Sequence, residues 1–120
     1  MGNMPLVSIV ILNWDGKEDT LELLNSLRKT TYKNYEVIIV DQGSRDGSVN
    51  AIRNEFGDVK IIQNKKNVGF AAGNNIGIKN GRGDYFFLMN NDMVVHKDWL
   101  SELVKVAESN NEFGIVGSMI

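Results

Sequence analysis

Residues 7–16 read Val7-Ser8-Ile9-Val10-Ile11-Leu12-Asn13-Trp14-Asp15-Gly16. Except at Ser8, the first six are apolar on both faces of a pleated strand. A run of this kind, rich in β-branched residues, suits a strand covered on both sides, as in a parallel sheet. It then breaks into polar residues and a glycine. The same pattern recurs down the chain. Val37–Val40 (VIIV) precedes Asp41-Gln42-Gly43-Ser44-Arg45-Asp46-Gly47-Ser48. Val59–Ile62 (VKII) precedes Asn64-Lys65-Lys66-Asn67-Val68-Gly69-Phe70, and Tyr85–Met89 (YFFLM) precedes Asn90-Asn91-Asp92. Gly114–Gly117 (GIVG) is a fifth such run.

Amphipathic stretches lie between these runs. Leu21, Leu24 and Leu27 share one helical face. Val49, Ile52 and Phe56 recur at helical spacing, with Gly57 placed as a C-terminal cap. Ala72 and Ile76 pair in a third stretch that Asn80-Gly81 would close. Leu100, Leu103, Val104 and Ala107 mark a fourth, with Asp98 in its first turn. The order is β-α-β-α-β-α-β-α-β. Right-handed crossovers then build an α/β fold, a mostly parallel open sheet with helices on both faces.

The composition narrows the function classes. The 120 residues, 42% of them apolar, suit one globular domain that buries roughly two-thirds of its unfolded surface. Thirteen Lys+Arg against fifteen Asp+Glu leave no basic stripe, so the footprint of a nucleic-acid binder is missing. The longest aliphatic run falls far short of the roughly 20 residues that span a bilayer. No cysteine is present, which excludes thiolate metal sites, and the single His96 excludes a multi-histidine one. Met1–Met4 reads as a loose start, partly a cloning remnant. The chain stops at Met119-Ile120 directly after an apolar run, which reads as a piece, residues 5–120, of something longer. A sheet cut short in this way would expose apolar surface and self-associate.

In open α/β sheets ligands sit beyond the carboxyl ends of the strands, so the polar tips are the candidate site. Asp41, at a strand end, either accepts hydrogen bonds from a ribose or base N–H, or holds its own turn. Ser44 and Asp46 read as turn or helix-capping residues. Asn90-Asn91-Asp92 either helps hold a metal-bound diphosphate, for which one carboxylate is adequate, or is a polar strand-to-helix turn. A helix starting near Gly69 would offer free N–H groups to an anion. Ala71, Ala72 and Gly73 permit close packing, whereas Asn74-Asn75 inside a helix is not explained by propensity. Trp14 either stacks on a base or covers the sheet edge. Lys65 and Lys66 either steer a polyanion or are solvated.

Taken together, VSIVILNWDG, VDQGSRDGS, NVGFAAGNNIGI and FLMNNDMVV resemble the family 2 inverting glycosyltransferases, in that family's order and spacing from Pro5 to Ile120. The NVGFAAGNN segment looks most like the rhamnosyltransferase branch. The resemblance implies a Rossmann-like GT-A fold that binds a nucleoside-diphosphate sugar, here a UDP- or dTDP-sugar, with Mg²⁺ or Mn²⁺. It implies that Asn13, Trp14 and Asp15 border the nucleotide and that Asp41 contacts the base or ribose. Gly69, Asn74 and Asn75 match a segment lining the donor side. Asn90-Asn91-Asp92 matches the DXD motif, with Asp92 in the metal place. Asn90 stands where the strict motif has an acid, which leaves Asn90 and Asn91 as nucleotide-sugar contacts.

The resemblance further implies metal-assisted displacement onto the hydroxyl of a glycan or lipid-linked acceptor, as in polysaccharide biosynthesis. The cellular setting it implies is the cytoplasm, peripheral to the inner face of the membrane. The family's catalytic base lies in the second half of its domain. No candidate stands in this chain, since Glu102, Glu108 and Glu112 read as solvated charges. The chain therefore reads as a donor-binding part that is inactive by itself.

Other classes fit less well. A two-component receiver domain wants an acidic pair after the first strand and an Asp ending the third, where this chain has Asn13-Trp14 and Gln63-Asn64. A sugar-phosphate nucleotidyltransferase wants a glycine- and arginine-rich first loop. A non-catalytic nucleotide-binding or docking module is the remaining alternative.

Overall fold

The computed structural model describes residues 4–109 and, for the backbone, 115–117. Five strands alternate with four helices. They are β1 (Val7–Asn13), α1 (Lys17–Arg28), β2 (Tyr35–Asp41), α2 (Ser48–Glu55), β3 (Lys60–Gln63), α3 (Phe70–Lys79), β4 (Tyr85–Met89), α4 (Trp99–Ser109) and β5 (Ile115–Gly117). The sheet order is β3-β2-β1-β4-β5 and every pairing is parallel. The chain winds outward from β1 to β3, then crosses back over the sheet to β4. That reversal puts the topological switch between β1 and β4, where such sheets bind ligands.

Strand parity divides the core in two. Val7, Ile9 and Ile11 of β1, Val37 and Ile39 of β2 and Tyr85, Phe87 and Met89 of β4 face one layer. There they meet Leu23, Leu24 and Leu27 of α1, Ile52 of α2 and Leu100, Val104 and Ala107 of α4. Trp99 meets Phe87 edge-on, with ring centroids 6.1 Å apart. Val10, Ile38 and Val40 face the opposite layer, where Ile76 of α3 packs against them. Ser8, the polar residue in the first run, is buried there. Its hydroxyl donates to Glu36 Oε2 at 2.5 Å and accepts from the Gly83 N–H at 2.8 Å.

Three sequence expectations are corrected in detail. The β3 strand is an edge strand with Lys60 and Gln63 exposed and Ile61 and Ile62 only half-buried, because it has a neighbour on one side alone. In α1 the buried face carries Thr20, Leu23, Leu24 and Leu27, with Leu21 half-buried at its margin on the side of Arg28. In α3 Ile76 packs on the sheet as expected, but Gly73, Asn74 and Gly77 are the buried residues and Ala72 is exposed. A smaller difference concerns α2, whose C-terminal cap is Phe56, its N–H donating to the Ile52 carbonyl, rather than a left-handed Gly57.

The α3 helix stands on its glycines. A Cβ on Gly77 would lie 2.3 Å from Val10 Cγ1, so the backbone of α3 rests directly on β1. Alanine at this position would gain about 1 kcal/mol of helix propensity against an overpacking penalty of about 1–3 kcal/mol. Val10 is β-branched and sits in the strand interior, so it cannot swing aside. Gly77→Ala is expected to lower stability by about 1–2 kcal/mol, read as a lower urea midpoint.

The start of α1 is capped from a distance. The Lys17 N–H donates to Asp46 Oδ2 at 3.0 Å, and the Asp46 Oδ1 atom accepts from the Ser48 N–H at 3.0 Å and from the Ser48 hydroxyl. Burial disfavours the charged carboxylate, but these donors outweigh it and hold the Asp46 pKa below its ordinary value. The stabilisation is therefore complete above the unfolded-state carboxylate range and is lost as pH falls through the lower folded value. Asp46→Ala is expected to be less stable than the wild type near pH 7. Urea titrations should show that difference shrinking below about pH 4.

Candidate functional site

At the carboxyl end of the sheet, β1 finishes with the completely buried Asn13. Its carboxamide donates to Asp41 Oδ1 at 2.9 Å and to Ser44 Oγ at 3.2 Å. Its Oδ1 atom accepts from the Thr20 hydroxyl at 2.7 Å. Thr20 Oγ1 in turn accepts from Asn91 Nδ2 at 3.1 Å. One chain of hydrogen bonds therefore joins the tips of β2, β1 and β4 through the first turns of α1. Asp41, only 2% exposed, also accepts from the Ser44 N–H at 3.0 Å through Oδ2. Ser44 Oγ accepts from the Asp15 N–H at 2.8 Å, and Asp15 Oδ1 accepts from the Arg45 N–H at 2.7 Å. The two loops are thus stitched together, with Asp15 in the left-handed region at φ 49°.

Above this layer lies a cavity of about 360 Å³ lined by Leu12, Trp14, Gln42, Asn67, Gly69, Phe70, Asn90, Asn91 and Asp92. It opens at the switch between β1 and β4, with the start of α3 as one wall. Trp14 is 60% exposed and Phe70 66% exposed, so both aromatic residues stand largely open to solvent. Asp92 is the one carboxylate in the lining, is exposed, and accepts no hydrogen bond from the described residues. The uncapped start of α3, with Gly69 at φ 94° and no acidic residue in the first turn, borders the same space.

The structure brings Trp14, Gly69, Asn90, Asn91 and Asp92 together from three separated loops. It leaves five other sequence candidates out of the lining. Asn13 and Asp41 continue the parity of Ile11 and Ile39 and so point toward the α1 layer, away from the cavity. Asp15 is turned to the Arg45 backbone by its own loop. Asn74 is buried on the sheet side of α3, and Asn75 is exposed outside the cavity. The lining residues not singled out from the sequence are Leu12, Gln42, Asn67 and Phe70. Parity was the available signal for two of them, because Leu12 and Gln42 fall on the face of Val10 and Val40, where α3 lies.

Comparison with known proteins bears on the fold and the family. The family model described as "Glycosyl transferase family 2" matches residues 8–120. An uncharacterized glycosyltransferase of Haemophilus influenzae is 32% identical over 123 residues, spanning 100% of this chain and 38% of that protein. One of Rickettsia bellii is 35% identical over 108 residues, spanning 89% of this chain and 16% of that protein. The chain therefore spans well under half the length of either relative. Among solved structures, the mannosyltransferase PcManGT from Pyrobaculum calidifontis, in complex with GDP-Man and Mn²⁺, superposes with a TM-score of 0.80 at 21% identity. The match covers 88% of this chain and 33% of that one. S. aureus TarS 1-349 in complex with UDP-GlcNAc gives 0.78 at 22% identity, with 88% and 32% covered. A five-stranded parallel sheet with its cavity at the β1–β4 switch is the GT-A, Rossmann-like arrangement, and with the match over residues 8–120 the chain belongs to glycosyl transferase family 2.

Proposed function

We propose that this chain is the donor-nucleotide-binding part of a glycosyltransferase that moves a sugar from a nucleoside-diphosphate sugar to an acceptor hydroxyl with inversion. The observation that carries this reading is the cavity at the switch point, where Trp14, Gly69, Asn90, Asn91 and Asp92 converge from three loops. Further support comes from fold neighbours in complex with UDP-GlcNAc and with GDP-Man and Mn²⁺. The donor assigned here is a UDP- or dTDP-sugar, and the cation is Mg²⁺ or Mn²⁺.

The residues present fit such a cation. Asp92 offers a free carboxylate, and among the described residues no three Asp, Glu or His side chains form a closed cage. The remaining positions would be filled by diphosphate and water, as a hard divalent ion accepts. When bound, the cation would neutralise charge that develops on the departing diphosphate. Trp14 provides a flat apolar face for the base. Asn90, exposed beside Asp92, provides an amide for sugar hydroxyls. Asp41, buried and turned away from the cavity, serves the nucleoside site by holding the β2 loop through both of its carboxylate oxygens. The start of α3 offers N–H groups to phosphate oxygens.

Inverting transfer also needs a base to take the acceptor proton. Glu102 pairs with His96 at 3.5 Å and Glu108 accepts from the Tyr85 hydroxyl, and neither lines the cavity. Glu112 lies outside the described residues. The reading therefore takes the base from elsewhere in a longer protein.

Calorimetry tests the binding half. UDP or dTDP should bind the wild type with an affinity that rises on adding Mn²⁺. Asp92→Ala should remove that rise, weakening binding by about tenfold or more, as loss of one charged contact does. A wild type that binds neither nucleotide at millimolar concentration counts against the reading, and an unchanged Mn²⁺ response in the variant counts against Asp92. In a separate assay the isolated 120 residues should release no sugar to acceptor from either donor class. Measured turnover would place the base inside this chain.

A further inference from the structure

We infer that Gln42 is a positioning residue, which fixes the wall Asn67–Phe70 of the cavity and through it the affinity for the nucleotide. The second half of this inference rests on the function proposed above. Gln42 immediately follows the end of β2 and is 3% exposed. Its Nε2 donates to the Gly69 carbonyl at 3.0 Å. Its Oε1 accepts from Asn64 Nδ2 at 3.0 Å and from the Val68 N–H at 3.2 Å. The backbone holds it from the other side, because the Gln42 N–H donates to the Asn13 carbonyl at 2.8 Å. One buried side chain therefore ties the tip of the central strands to both ends of the turn that launches α3.

Gly73 makes room for this amide. A Cβ on Gly73 would lie 2.5 Å from Gln42 Nε2, so the small residue in α3 makes the space that the carboxamide fills. The partners also fix its orientation. The Gly69 carbonyl requires a donor, whereas Asn64 Nδ2 and the Val68 N–H require an acceptor. A carboxamide satisfies all three at once, and a carboxylate satisfies only two. What the turn carries is Gly69 and Phe70, which are cavity lining rather than core. Leaving the turn free would displace that wall while the sheet beneath it stays intact.

Two variants separate positioning from plain stability. Gln42→Met keeps length and apolar packing but removes all three side-chain hydrogen bonds. Its Val68 amide should lose protection in hydrogen exchange, while amides of Ile9 and Ile39 in the central strands keep theirs. Gln42→Glu retains the two acceptor contacts. At low pH the protonated acid also donates to the Gly69 carbonyl, and once ionised it opposes that carbonyl. The Gly69 and Phe70 amide resonances should then follow a titration that the wild type lacks.

The ionisable groups nearby are Asp41 beside it in sequence, Asp92 across the cavity, and Lys65 and Lys66 in the adjoining loop. All four are common to both proteins, so their own titrations divide out of the variant-to-wild-type affinity ratio, which is read for uridine as well as UDP because a carboxylate in the cavity lining repels a diphosphate directly. That ratio should fall about tenfold as pH rises through the same titration. A flat ratio, or resonances that do not move, would overturn the inference. A wild type that binds no UDP removes the proposed function, and the resonance titration and Val68 exchange then decide the role of Gln42 by themselves.

Discussion

The site depends on one buried carboxamide. Asn13 ends the central strand with no exposure, and a polar group placed there must be fully hydrogen-bonded or it destabilises the fold. Its bonds to Asp41, Ser44 and Thr20 satisfy it. The same bonds fix the heights of two loops relative to the sheet, and Thr20 passes the constraint to Asn91 at the tip of β4. The loop that carries Trp14 and the turn that carries Asp92 are therefore set by one buried network, although 71 residues separate Thr20 from Asn91. Such pre-set geometry lets a cavity receive a ligand without ordering its walls first.

The second constraint is how closely α3 lies to the sheet. Most helices rest on a sheet through side chains. Here Gly73 and Gly77 bring the helix backbone down onto Leu12 and Val10. That approach draws the start of α3 toward the tip of β1, so Gly69 and Phe70 close one side of the cavity. The other face carries α1, α2 and α4 over a conventional aliphatic core. The division of labour is uneven. One face supplies most of the buried apolar area, and the other places a helix terminus where an anion would bind.

Much of the fold was legible in the chain itself. Runs such as Val7–Leu12 and Tyr85–Met89 are apolar with β-branched or aromatic residues and end in polar tips, so strand positions and the ligand edge follow from local chemistry. The cavity residues Trp14 and Asp92 were legible for the same reason, since each follows a strand directly. The edge position of β3 was not, because Val59–Ile62 carries apolar residues like the inner strands and only the pairing order decides which strand lacks a neighbour. Leu21 and Leu23 differ in burial because the face of α1 laid on the core is the one with Thr20, Leu23, Leu24 and Leu27, a choice that helical spacing alone does not contain.

The sequence by itself determined the α/β alternation, the family and the strand tips around which the cavity forms, since these rest on short-range periodicity and on residue types that recur in order. Only the tertiary structure decided what each tip residue does. Asp41 and Gln42 are adjacent in sequence, yet successive side chains of a strand point to opposite faces. The carboxylate therefore turns into the α1 layer to hold a loop, and the amide turns toward α3 and the cavity. Which face holds the cavity depends on where the chain crosses back over the sheet, and that is a property of the whole fold.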